Sequence, residues 1–191
     1  EIAAIARLNH PGIAQVYSSG EQDRVRYYAM EFIEGESLEE LRQRLAGQRP
    51  SDLHGRDVFP AALEATHSTS SERTALLAAT WVEASLRIVR DVAVALAHAH
   101  DNGILHRDVK PGNIMLGADG RPRLLDFGLA RAAEDHGLTQ SGDVVGTLRY
   151  MAPEQLLGRS DERTDLYALG LTLYELTTGC AAFGTSTESL V

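Results

Sequence analysis

The sequence predicts an α+β chain, a small strand-bearing part followed by a larger and mostly helical one. Three observations lead there. Two short runs near the start, Ile13 to Tyr17 and Arg26 to Phe32, are rich in β-branched and aromatic residues. In the middle, Ile114 to Leu116 and Arg123 to Leu125 flank the turn Ala118-Asp119-Gly120, a hairpin signal. Two longer stretches, Glu83 to Asp101 and Asp165 to Thr177, repeat apolar residues at helical spacing.

Taken in order, residues 1 to 9 read as the end of an amphipathic helix with Ile2, Ile5, Ala6 and Leu8 apolar, stopped by His10-Pro11-Gly12. The two strand-like runs follow, joined by a polar turn from Ser18 to Asp23. Ser37 caps a short helix over Leu38 to Leu45, and Glu40 three residues on completes a capping box. From about Gly47 to Thr80 the periodicity dissolves into Gly, Pro, Ser, Thr, His and Ala. This segment reads as a low-order insertion, with a short helix around Ala75 to Trp81, dispensable for activity because it offers little to bury. In the helix from Glu83, residues Ile88, Val89, Val92, Leu96 and Ala99 share a face, and Asn102-Gly103 ends it. Asp126 to Met151 is a long Gly-punctuated loop, and Ala152-Pro153-Glu154 opens a short helix.

Composition removes several classes of function. The chain has 191 residues, 43% hydrophobic and 24% charged, which is globular rather than disordered. Its formal charge of -9 argues against general nucleic-acid binding. A single cysteine, Cys180, excludes a disulfide framework or a cysteine zinc cluster and reads as a small hydrophobe. No apolar run approaches the roughly 18 residues a membrane helix needs; Leu169 to Leu176 is a core helix, and nothing at Glu1 reads as a signal peptide. His98 and His100, two apart on a helix, face different ways and make a poor shared metal site. Of the 18 basic residues, 17 are Arg, and Lys110 is the one lysine.

That lysine lies in His106-Arg107-Asp108-Val109-Lys110-Pro111-Gly112-Asn113. Asp126-Phe127-Gly128 follows, then Gly146-Thr147-Leu148-Arg149-Tyr150-Met151-Ala152-Pro153-Glu154, then Asp165-Leu166-Tyr167-Ala168-Leu169-Gly170. Four such motifs in this order resemble a protein kinase, specifically the eukaryotic-like (Hanks-type) serine/threonine kinases of bacteria. The resemblance covers nearly the whole chain apart from the insertion. It implies a protein-kinase-like α+β fold: an N-lobe remnant at 1–30, a hinge at 31–36 and a mostly helical C-lobe at 37–191 carrying the insertion at about 47–80.

The resemblance also implies roles. Asp108 would accept the proton of the substrate hydroxyl, Lys110 would reach the transferring phosphoryl, and Thr147 would bond both. Asn113 and Asp126 would supply oxygen ligands to Mg²⁺, the cofactor expected with ATP. The backbone of Glu31 and Ile33 would meet the adenine edge, Met30 would be the gatekeeper, and Met115 would lie under the adenine. Glu1 aligns with the helix glutamate that pairs with an ATP-anchoring lysine, and His106 and Phe127 would stack with Ile5. Arg107 before the catalytic aspartate implies control by loop phosphorylation, with Thr139 and Ser141 as acceptors and Arg107 and Arg131 receiving the phosphate. Expected partners are protein substrates and a second copy for autophosphorylation, with no nucleic acid and no membrane segment. The expected location is cytoplasmic, the parent protein being open to a membrane anchor. Neither Gly112 nor Ser37 is acidic, so no preference for Arg-rich peptides is built in.

The chain departs from the family in two respects. It holds no GxGxxG, and its one lysine already sits in the catalytic loop, so the Gly-rich phosphate lid and the ATP-anchoring lysine are both missing. The reading is therefore a kinase domain cut at both ends, inactive in isolation. The alternatives are a pseudokinase scaffold that binds without transfer and a kinase-fold enzyme acting on small molecules; GTxxYMAPE, a protein-docking loop in the family, counts against the second.

Overall fold

The computed structural model describes residues 8–22, 25–59, 70–127 and 148–183. Five strands and four α-helices make up this part. Strands β1 (Val16–Gln22) and β2 (Val25–Met30) form an antiparallel ribbon. Most of the stretch expected as a turn, Ser18 to Asp23, is therefore strand. Ser18-Ser19-Gly20-Glu21-Gln22 has no apolar face to signal it, but it pairs through its backbone from Ser18↔Ala29 to Gln22↔Val25. The helical reading of residues 1 to 9 falls almost wholly outside the described residues.

A second sheet has the order β3 (Gly35–Ser37), β4 (Ile114–Gly117), β5 (Pro122–Leu124), all antiparallel. Residues 12–14 dock along β5: Ala14 N–H donates to Leu124 O and Leu124 N–H to Gly12 O, both at 2.9 Å. Helix α1 (Leu38–Arg44) starts at Ser37, whose hydroxyl accepts from Glu40 N–H while the Glu40 carboxylate accepts from Ser37 N–H, the expected capping box.

Of the segment expected to be of low order, residues 47–59 and 70–80 are described and are built, while 60–69 lie outside the described residues. It carries 3₁₀ turns at Pro50–Asp52 and Gly55–Val58 and helix α2 (Ser71–Leu77), which begins before the expected Ala75 and ends before Trp81. Leu53, Val58, Phe59, Leu76 and Ala79 belong to the main hydrophobic core. The physical reason is burial without periodicity: short turns bring scattered apolar side chains inward. Gly55 allows the closest approach, since a Cβ there would stand 1.8 Å from Leu76 O. Arg73 is 4% exposed, donates to Ala118 O at 2.8 Å, and lies over the Phe59 ring at 4.1 Å. The hairpin turn answers from the other side. Gly120 (φ 83°) passes so near the Arg73 backbone that a Cβ would sit 2.6 Å from it, and Ser70 Oγ donates to Asp119 O.

Helix α3 (Trp81–Asp101) is capped by Thr80 and Glu83, and buries Trp81, Ala84, Ser85, Ile88, Val92, Ala95, Leu96 and Ala99 along one face. It packs against α4 (Glu162–Thr178), which begins three residues before the expected Asp165, at the N-cap Asp161. The helix expected after Ala152-Pro153-Glu154 is one 3₁₀ turn, Gln155–Leu157, closed by Gly158 in the left-handed conformation. Among the described residues no helix is long and apolar enough to cross a membrane.

Candidate active site

The segment between α3 and β4 is short of repetitive backbone hydrogen bonds, so its shape depends on partners from elsewhere. The chief partner is Asp165 in the first turn of α4, 1% exposed. One carboxylate oxygen accepts from His106 N–H at 2.9 Å and lies 2.8 Å from His100 Nε2; the other accepts from Arg107 N–H at 2.7 Å. Arg107 itself has φ 66°, a conformation that L residues avoid, and its carbonyl accepts from Gln155 Nε2 at 3.3 Å. The backbone is thus gripped on both sides of the strained residue.

His106 is fully buried. Its Nδ1 accepts from Asp108 N–H at 3.3 Å, so Nε2 carries the proton and donates to Leu125 O at 2.8 Å. Burial lowers its pKa and keeps the ring neutral, with Asp165 the largest opposing influence. The ring stacks against Phe127 with centroids 4.5 Å apart. Through this one side chain the loop of Asp108 and the strand end before Asp126 are set relative to each other.

Asp108, Lys110 and Asn113 are together. Lys110 Nζ lies 2.8 Å from Asp108 Oδ2, and Asn113 Nδ2 donates to both Asp108 O and Asp108 Oδ2, at 2.8 and 2.9 Å. Asn113 O accepts from Leu125 N–H at 2.9 Å, which brings Asn113 beside the residue preceding Asp126. Asp126 has φ 57° and its Oδ1 accepts from the Tyr28 hydroxyl at 2.7 Å. Burial first, then this hydrogen bond, raises the Tyr28 pKa, so the hydroxyl stays protonated and donates.

Asn113 spends its NH₂ on Asp108, which turns the amide oxygen away as a free acceptor, and Asp126 has a second carboxylate oxygen. One amide and one carboxylate oxygen, on residues whose backbones a hydrogen bond from Leu125 N–H to Asn113 O makes neighbours, are hard donors of the kind that suits Mg²⁺. Among the described residues no cluster of three or more His, Cys, Asp or Glu suits a metal. His98 stacks on His10, with centroids 5.1 Å apart.

At the expected hinge, Glu31 N–H donates to Gln15 O at 2.8 Å, so its carbonyl is the group it can offer an adenine edge. Ile33 leads into β3, which pairs Ser37 with Met115 and Gly35 with Gly117. Glu1, Ile5, Arg131, Thr139, Ser141 and Thr147 lie outside the described residues. Two functional residues escaped the sequence reading. Asp165 was visible as part of a motif, and an acid opening an apolar helix was the signal to assign it a buried role. Tyr28 left no signal, because its partner is 98 residues away.

Beyond the loop, Tyr150 donates to Glu175 Oε2 at 2.6 Å and Arg149 Nη2 lies 3.0 Å from Glu175 Oε1. This buried acid in α4 fixes residues 149 and 150 below the loop.

Comparison with known proteins identifies the family. The protein kinase domain family matches residues 1–190. The chain is 36% identical over 180 residues to serine/threonine-protein kinase PknB of Mycobacterium leprae, covering 91% of this chain and 24% of that protein. It is 39% identical over 186 residues to a probable serine/threonine-protein kinase of Streptomyces coelicolor (93% and 23%). It is 36% identical over 184 residues to serine/threonine-protein kinase PknL of Mycobacterium tuberculosis (96% and 38%). The chain thus spans about a quarter to two-fifths of the length of these relatives.

Proposed function

This chain belongs to the protein kinase domain family, and from that premise we propose that it is the catalytic part of a serine/threonine protein kinase moving the γ-phosphate of ATP to protein hydroxyls. The observation that carries the reading is the Asp108–Lys110–Asn113 group. Phosphoryl transfer asks mainly for positioning and neutralised charge. Asp108 accepts the proton of the attacking hydroxyl and orients it. Lys110, with Nζ 2.8 Å from Asp108 Oδ2, extends positive charge toward the phosphoryl oxygens. Asn113 positions Asp108 through its NH₂ and, with Asp126, would hold Mg²⁺, which when bound would offset phosphate charge. Glu31 and Ile33 receive the adenine edge, with Met115 beneath it and Met30 as gatekeeper. We assign Thr147, outside the described residues, as the partner of Asp108 and Lys110.

Lys110 is the one lysine and is committed to Asp108. No lysine of these 191 residues is thus left to hold the α- and β-phosphates, the group for which Glu1 is the expected partner, and no GxGxxG is present to cover them. The 191 residues alone transfer little or no phosphate on this reading, and robust autophosphorylation by them would overturn it. We further assign Thr139 and Ser141 as phosphate acceptors that Arg107 and Arg131 bind, and a cytoplasmic location. Phosphosite mapping of the active protein, with the Thr139→Ala/Ser141→Ala variant, tests the first.

The test of the main reading is Asp108→Asn in the full-length protein. Turnover is expected to fall by at least about 100-fold, the range of a lost positioned base, with nucleotide affinity retained. Wild-type turnover in that variant would sink the assignment.

A further inference from the structure

Tyr27 and Tyr28 are neighbours on β2, so their side chains leave opposite faces of the ribbon. Tyr27 covers its own ribbon, lying against Gly20, whereas Tyr28 crosses the cleft to Asp126. The two halves of this contact are 98 residues apart, and Tyr28 is 36% exposed. A partly solvated hydroxyl–carboxylate bond adds little to fold stability. Its strength is direction. Asp126 leaves the chain from a left-handed backbone, and among the described residues the Tyr28 hydroxyl is the hydrogen-bond partner of its carboxylate.

We propose that Tyr28 is a positioning residue: its hydroxyl fixes Oδ1 of Asp126 and thereby presents Oδ2 beside the Asn113 amide oxygen to a divalent cation. The inference rests on the Mg²⁺ reading of Asp126 given above. A carboxylate that binds a metal is itself commonly hydrogen-bonded, and the outer partner restrains its rotation. Tyr28 supplies that restraint from the opposite side of the cleft. It therefore also couples the β1–β2 ribbon to the metal ligand: any movement of the ribbon away from Asp126 releases the carboxylate.

The experiment measures nucleotide binding by calorimetry in the full-length protein as Mg²⁺ is titrated, and again without metal, for wild type, Tyr28→Phe and Asp126→Asn. Tyr28→Phe keeps the ring and removes the hydroxyl alone. The expected result is a rise of about tenfold in the Mg²⁺ concentration for half-saturation, the lower range for an outer-partner loss, with metal-free nucleotide affinity unchanged. Asp126→Asn is expected to lose the Mg²⁺ dependence. Unchanged or tighter Mg²⁺ binding in Tyr28→Phe, with the dependence lost in Asp126→Asn, overturns the role of Tyr28 and leaves the function standing. Unchanged Mg²⁺ dependence in both variants overturns the metal assignment and the inference together.

Discussion

The loop that carries Asp108 and the segment between α1 and α3 are both irregular in backbone, yet they are held by opposite means. Residues 104–113 are held by polar groups: Asp165 takes two backbone N–H groups, and His106 spans to Leu125. Residues 50–59 and 70–80 are held by apolar burial, with Arg73 as the main polar anchor. A loop whose donors must be satisfied in the interior needs particular side chains at particular places. A loop held by burial needs only enough apolar surface in reach. The first kind leaves an identifiable sequence pattern and the second does not.

The difference is open to direct attack. Replacing residues 47–80 by a short Gly/Ser linker is expected to abolish cooperative unfolding, since five core side chains leave with it. A linker variant with a normal urea transition would show the segment to be an accessory after all. Next in size, Asp165→Ala strands two buried N–H groups and His100, at a cost of about 3–5 kcal/mol. Chemical denaturation measures it, and a change under about 1 kcal/mol would place the grip on the loop elsewhere.

How far the sequence led follows from the same contrast. The grouping of Asp108, Lys110 and Asn113 was legible because the motif that holds them sets residue types at fixed spacing, and the structure brings the three side chains together. The long helices were legible from Ile88, Val92 and Leu96 on one face. The role of Asp165 was not, because its hydrogen-bond partners lie 58 and 59 residues back. Leu53, Val58, Phe59 and Leu76 follow neither helical nor strand spacing, so their burial had no local signal. The β1 residues Ser18 to Gln22 look like a turn because a two-stranded ribbon needs no apolar face.

Two smaller perturbations sharpen the contrast. Arg73→Met keeps the buried stem but removes the donor to Ala118 O, with an expected loss of about 1–3 kcal/mol in urea unfolding. A neutral result would mean that burial alone anchors α2. Thr80→Ala removes the hydroxyl that accepts from Glu83 N–H at the start of α3, for about 1 kcal/mol. Its melting temperature should fall by a few degrees, a shift of about 2–4 °C for a chain of this size; an unchanged value would show the junction to be set by packing.

The indole of Trp81, at the first residue of α3, donates to Leu176 O near the end of α4 at 2.7 Å. At the far end of the same antiparallel pair, His100 meets Asp165 at 2.8 Å. The two helices are thus tied at two points, about 28 Å apart along α3 and about 17 Å apart along α4, given a rise of 1.5 Å per residue. Such a pair bends and opens as one beam, and its amides should exchange with solvent on one clock. Any movement of the β1–β2 ribbon away from Asp126 would then fall on the two short connections that join the ribbon to the second sheet, residues 14–15 after the stretch docked on β5 and residues 31–34 before β3.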